Sequence, residues 1–321
     1  MNSLNKYLNV FQRLRIDRAH GFAPHKPILL ISLIQAFKNE LITSDRIYIT
    51  PELVALFKTN WSLLVRSNHD CKFSLPFFHL ISDKFWKLIA KTGFENFLKF
   101  PSSMRSFASL NAAIDYAIIE EDLLELLTDK RSNDILLKFL LDYYFPETKN
   151  NFNLSNQKQY DLFNEIESKI LENNSDVYSR ELKSLLKDRE EEEIFIRSNI
   201  FKREIPKIYN YTCSISGMKV DAIFAISMVD ACHIKPFSQS YDDTISNGIA
   251  LCPNLHRAFD RGLISVDNHY RVIVSNTFNE NNSDYSIKKY SNQKIILPDN
   301  LKFYPSQNNL EWHRRNCFQG S

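Results

Sequence analysis

Between residues 230 and 262 the chain spaces His233, Asn247, His256 and Asp260 as H-x13-N-x8-H-x3-D. The residues around them read as strand end, loop, strand and helix. Asp230-Ala231-Cys232-His233-Ile234 closes one strand, and Gly248-Ile249-Ala250-Leu251 supplies the next. Pro253 then opens a helix, since a proline in the first turn costs no hydrogen bond. On that helix His256 and Asp260 lie four apart and share a face, so an imidazole nitrogen and a carboxylate oxygen can meet one divalent ion. Asp230 falls on the same side of its strand as Cys232 and is a candidate further ligand. His233 is then available as a general base, because imidazole titrates near neutral pH.

Other chemistries are excluded by composition. Six glycines, none of them clustered, leave no G-x-G-x-x-G or G-x-x-x-x-G-K-[ST] loop, so dinucleotide and P-loop sites are ruled out. Five scattered cysteines without a C-x2-C pair argue against a disulfide framework in a chain of 321 residues. Neither a spanning apolar run nor a signal-like N-terminus is present, so a cytoplasmic protein with no membrane partner is expected. The net charge of +2 hides an asymmetry: residues 1–105 hold 15 Lys and Arg against 7 Asp and Glu. A basic segment of this kind suits a polyanion such as DNA.

The periodicity predicts an α+β chain of two domains joined by a charged helical stretch. Residues 1–150 form the first domain, 151–204 the linker and 205–321 the second. The first is mainly helical: helices are predicted from Pro27, from Pro51 and through Ile135–Tyr144, with a strand at Arg46–Thr50. The apolar runs Phe77–Ile81 and Phe85–Ile89, separated by Ser82-Asp83-Lys84, predict a β-hairpin wing. The Asn-rich stretch Glu147–Gln157 marks the end of this domain. The run Glu190–Glu193 reads as a solvated face.

The motif of the second domain resembles the HNH endonucleases of the ββα-metal class, with His233, Asn247 and His256 as the signature residues. The flanking Cys213-Ser214-Ile215-Ser216-Gly217 and Leu263-Ile264-Ser265-Val266-Asp267 fit one branch of that superfamily. The resemblance implies that His233 is the general base, that Asn247 fixes the loop holding it, and that His256 with Asp260 and Asp230 holds Mg2+ or Mn2+. Phosphodiester hydrolysis needs a deprotonated water, charge compensation on the phosphate and help for the departing alkoxide, which one ion and one imidazole supply. Many relatives carry a metal ligand directly before the base, where this chain has Cys232. A soft thiolate does not suit a hard ion, so Cys232 reads as a buried strand residue. Ser216 and Leu255, each third after a cysteine, exclude the zinc brace of other relatives.

The N-terminal pattern resembles a second family. Ala23-Pro24-His25-Lys26-Pro27 with its apolar helix, Leu75-Pro76-Phe77-Phe78-His79, and the order of domains are similar to the McrA-like restriction endonucleases with a sulfur-binding domain. The resemblance implies binding of double-stranded, phosphorothioate-modified DNA. Leu75 and Pro76 would wall the sulfur pocket, His25 and Lys26 would supply its polar edge and cationic contact, and Arg15 would reach a phosphate. Relatives carry Arg at the position of Lys26 and an aromatic at that of Leu75. The expected activity is a modification-dependent, type IV-like restriction endonuclease; no organic cofactor is implied, and a homodimer is compatible. Two rivals follow from the same residues: an HNH nuclease that reads a modified base, and a DNA-binding regulator whose HNH fold is catalytically silent.

Overall fold

The computed structural model of the chain describes residues 3–16, 22–99, 106–152, 162–172, 174–187, 190–220, 227–281 and 283–320. These form two compact units, residues 1–165 with 191–196, and residues 166–190 with 197–321. Residues 153–157 of the Asn-rich stretch lie outside the described residues. No described helix is long and apolar enough to cross a membrane.

The first unit is built around one buried helix. Helices α1 (Ser3–Gln12) and α2 (His25–Lys38) come first, followed by β1 (Arg46–Tyr48) and α3 (Pro51–Leu64). From Lys26 to Leu33 every side chain of α2 is buried, so an all-round apolar helix takes the centre. Its polar Ser32 is satisfied locally: the hydroxyl donates to Ile28 O at 2.8 Å and accepts from Asn60 Nδ2 at 3.0 Å. The start of α3 is set by Thr50, whose Oγ1 accepts from Leu53 N, with Pro51 next to it. Then come α4 (Ser74–His79), β2 (Trp86–Ala90), α5 (Phe107–Ala113), β3 (Ile114–Ile119), α6 (Glu121–Thr128) and α7 (Lys130–Tyr144). The three strands make one antiparallel sheet in the order β1-β3-β2.

The expected hairpin wing is not formed. Residues 74–79 are helical, Leu80–Asp83 continue as a 3-10 turn, and β2 pairs with β3 instead, Trp86 opposite Ile119. An apolar run of this length carries no periodicity that separates strand from buried helix. What decides is burial: Phe73, Phe77, Phe78 and Leu80 all enter the core. Pro76 sits in the first turn of α4, where its missing N–H is not needed. Lys84, at φ 64°, ends the 3-10 turn and turns the chain into β2.

The segment expected as a charged linker is helical, and its apolar positions are buried. Helix α8 (Leu162–Glu172) buries Ile166 and Ile170, α9 (Ser175–Lys187) buries Tyr178 and Leu182, and α10 (Glu191–Ile208) buries Ile200, Phe201 and Ile205. The second unit continues with β4 (Asp230–His233), the short α11 (Phe237–Ser240), β5 (Gly248–Leu251) and α12 (Pro253–Asp260). Strands β4 and β5 pair antiparallel, His233 opposite Gly248. Strands β6 (Ile264–Val266) and β7 (Val272–Val274) form a second pair, and α13 (Gln307–Asn316) packs on β6.

The tail helix is fastened by a buried histidine. His313 accepts from the Ser265 hydroxyl at Nδ1 (2.8 Å), donates from Nε2 to Phe259 O (3.1 Å), and stacks on the Phe259 ring at 3.8 Å. Burial pushes its pKa down to about 4. The unfolded chain, with an ordinary imidazole near 6.5, binds the extra proton first, so stability falls as pH drops from 6.5 towards 4. The loss amounts to about 3 kcal/mol once both states are protonated. Thermal melts at stepped pH check this: the acid-side drop in Tm should shrink in His313→Gln, and an unchanged slope would remove His313 as its source.

Candidate active site and pocket

Strand β4 divides its side chains between two surroundings. Period-two alternation turns Asp230 and Cys232 to one side and His233 to the other. On the first side α12 brings its shared face against the strand. His256 Nδ1 lies 3.4 Å from Asp230 Oδ2, and His256 Nε2 lies 3.4 Å from Asp260 Oδ2. The two carboxylates are more than half exposed, as a site open to substrate requires. The sequence reading named these residues, and the structure places them together.

Cys232 is next to this group. Its Sγ lies 3.8 Å from Asp260 Oδ1, and donor atoms of Cys232, His256 and Asp260 all fall within 4.8 Å of one another. The side chain is fully buried, and that burial first, then the Asp260 carboxylate, hold the thiol well above its usual pKa. Cys232 therefore stays a neutral thiol that donates to Asp260, and of this close group His256 and Asp260 are the donors that suit a hard ion, with Asp230 at the opposite ring nitrogen.

His233 has a different set of partners. Its Nε2 donates to Asp243 Oδ1 at 2.8 Å, and its ring stacks on Phe201 of α10 at 4.0 Å with 10° between the planes. It makes no hydrogen bond or ion pair with Asp230, His256 or Asp260 among the described residues. Asn247 is fully buried in the same loop. Its Oδ1 accepts from Lys235 N (2.9 Å), and its Nδ2 donates to Lys235 O and Asp242 O (3.0 Å each). The ladder is extended by Ile234 N donating to Asn247 O at 2.8 Å. Asp243 was not singled out from the sequence. Its only local signal is the pair Asp242-Asp243 in a loop, a combination that ordinarily faces solvent but is here 1% exposed at each residue.

The first unit holds a cavity of 480 Å³, and all five residues named from the sequence as DNA contacts, Arg15, His25, Lys26, Leu75 and Pro76, line it. They come from the loop after α1, the start of α2 and the start of α4. His25 Nε2 donates to Asp70 O at 2.9 Å, and its ring packs on Trp61 at 4.7 Å. Burial lowers its pKa. Lys26 is not the exposed cation the sequence suggested. Its ammonium is bonded to Asp83 at 2.5 Å and to Ser82 at 2.9 Å, with the Lys26 and Asp83 side chains 7% and 5% exposed. Arg15 is exposed.

Two further lining residues, His69 and His79, escaped the sequence reading. The signal for His79 was present but hidden by the strand assignment, since a strand turns Pro76 and His79 to opposite faces. The helix α4 sets Leu75, Pro76 and His79 on one face by its i, i+3 and i, i+4 spacing. Burial, and then the charge of Lys26, lower the His79 pKa.

Comparison with known proteins gives one family match and partial structural alignments. The HNH endonuclease family model matches residues 213–267. A solved structure, "Modification dependent TagI restriction endonuclease", aligns with 19% identity and a TM-score of 0.27 over 36% of each chain. A second, "Sulfur binding domain and SRA domain of ScoMcrA complexed with phosphorothioated DNA", aligns with 22% identity and a TM-score of 0.34, over 43% of this chain and 42% of that one. The chain thus spans less than half the length of either structure. A search of the curated proteins returned no match. The β4, β5 and α12 unit, with His233, Asn247, His256 and Asp260 on it, falls inside the matched segment, and the chain carries an HNH endonuclease domain at residues 213–267.

Proposed function

We propose that this protein is a modification-dependent endonuclease, whose second unit hydrolyses phosphodiester bonds of double-stranded DNA and whose first unit selects phosphorothioate linkages. The reader lies within residues 1–150 and the nuclease within 205–321. The observation that carries the reading is the placement, inside the HNH domain, of His256 between Asp230 and Asp260 on one side of β4, with a tethered imidazole, His233, on the other.

The donors present suit Mg2+ or Mn2+: the His256 imidazole lies against Asp260 at one ring nitrogen and against Asp230 at the other, both carboxylates are exposed, and the thiol beside Asp260 is protonated and buried. When bound by these residues, such an ion supplies charge compensation at the scissile phosphate and the leaving oxygen. His233 accepts the proton of the attacking water at Nδ1. The new P–O bond forms as the bond to the departing sugar oxygen breaks; that oxygen leaves with the electron pair as an alkoxide and takes its proton from solvent water. Asn247 keeps Lys235 and Asp242 in place on either side of the base.

The pocket of the first unit suits sulfur by what it withholds. Pro76 and Leu75 present carbon, the Lys26 charge is matched by Asp83, and the lowered pKa values of His25 and His79 keep both imidazoles neutral at pH 7. A phosphate oxygen entering there loses hydrogen bonds to water at a cost of about 1–3 kcal/mol, whereas sulfur needs few. The preference expected is roughly ten- to a hundredfold in affinity.

The test compares matched plasmids with and without phosphorothioate linkages, and a hydroxymethylcytosine plasmid, each with Mg2+, Mn2+ or EDTA. Cutting of the phosphorothioate plasmid alone, lost in EDTA, is the expected result. Preference for the modified base would move the reader to another ligand, and no cutting of any plasmid would leave the HNH fold a silent binder. Pro76→Ala, shown by circular dichroism to be folded, should narrow the affinity gap between phosphorothioate and ordinary duplexes about tenfold. A folded variant with the wild-type gap would remove Pro76 from the pocket wall.

A further inference from the structure

We propose that Asp243 is the positioning residue of this nuclease: it holds His233 as the Nε2–H tautomer, so that Nδ1 is the nitrogen that receives the proton from water. The inference rests on His233 being the base, and it adds a residue that the H-N-H signature does not contain.

Among the described residues, Asp243 makes one side-chain hydrogen bond. Its Oδ1 accepts from His233 Nε2 at 2.8 Å. A carboxylate can only accept, so the ring nitrogen facing it must carry the hydrogen. Nδ1 makes no hydrogen bond among the described residues, and a partly exposed side chain puts it within reach of solvent. A buried carboxylate is costly unless it is paired, and Asp243 is 1% exposed. Its second oxygen, Oδ2, is buried without a hydrogen-bond partner. The bond to His233 is the compensation this buried carboxylate receives among the described residues, which ties the two side chains together.

The surroundings lock the pair from several directions. Neighbouring Asp242 accepts from Thr244 N at 2.9 Å and from the Ser175 hydroxyl of α9 at 2.5 Å, while its carbonyl accepts from Asn247. Phe201 of α10 lies flat against the imidazole and removes ring rotation as a freedom. Tyr178 of α9 is buried; burial first, and then the Asp243 charge, push its phenol pKa upward. Ser175, Tyr178 and Phe201 all precede the segment matched by the HNH family model. The helices of the charged stretch thus supply the wall that orients the base, and the signature residues alone do not complete the site.

The experiment uses the full chain labelled with 15N at histidine, with the His233 signals assigned by their loss in His233→Ala. In the wild type the ring nitrogens should show the Nε2–H form. Asp243→Asn, nearly isosteric, should shift His233 towards the other tautomer or a mixture. On cleaved plasmid it should lower kcat about 10³-fold with KM unchanged. Asp243→Glu should recover part of that loss, because a carboxylate is restored. A wild-type ring in the Nδ1–H form overturns the proposal without any variant. So does an Asp243→Asn protein that keeps both the wild-type tautomer and the wild-type kcat while His233→Ala is inactive. If His233→Ala itself cuts normally, the base assignment fails, and the tautomer spectra still decide whether Asp243 sets the ring.

Discussion

His233→Ala is expected to lower DNA cleavage about 10³-fold while leaving affinity for the preferred duplex within about twofold of wild type. Alanine cannot accept a proton from water at neutral pH, and among the described residues no other imidazole is bonded to Asp243. The loss should be in kcat, since the cavity lined by Pro76 and His25 belongs to the other compact unit. Removing the ring also leaves Asp243 buried without its main donor, so a thermal melt must accompany the assay. A folded variant that cuts at the wild-type rate would end the case for His233 as base. Loss of binding together with cutting would instead point to a structural role.

Gly262→Ala should destabilise the second unit by about 3 kcal/mol or more, a fall in Tm of roughly 6–12 °C for a unit of this size. Gly262 follows the end of α12 at φ +70°, a conformation that costs a residue with a side chain about 1–2 kcal/mol. Sterics add more, because a Cβ there would lie 1.9 Å from Cys317 O and 2.8 Å from Cys317 C. These are backbone atoms of the tail and cannot rotate aside as a flexible side chain would. The Gly262 carbonyl also accepts from Gln319 N at 2.9 Å, so displacing the tail breaks a second contact. Since α12 carries His256 and Asp260, activity should fall with stability. Differential scanning calorimetry checks the first effect, and a Tm within about 2 °C of wild type would show that the tail moves aside freely.

Local rules were enough for the motif. His256 and Asp260 share a face because α-helices repeat every 3.6 residues, and the helix itself follows from Pro253 after a short strand. The helix α2 and the start of α3 were legible in the same way, from Pro27 with its unbroken apolar run and from Pro51, while the cap by Thr50, read as a strand end, came with the structure. Local rules misread Phe77–Ile81, where uniform apolarity supports either a strand or a helix. The core, by enclosing Phe77, Phe78 and Leu80 around the turn at Pro76, made it a helix.

What the sequence determined by itself is the chemistry available: two carboxylates, imidazoles and an asparagine at spacings that a strand, loop, strand and helix convert into shared faces. That conversion depends only on backbone periodicity, a property of each element alone. What only the tertiary structure decided is which charges are already spent and which side chains are held. Lys26 meets Asp83 from 57 residues away, and that pairing turns a presumed phosphate contact into the neutral wall of a cavity. His233 meets Phe201 of α10 and the buried Asp243, and Asp242 meets Ser175 of α9 across 67 residues. A buried charge is stable only where a distant partner compensates it, and distance along the chain carries no trace of that partner.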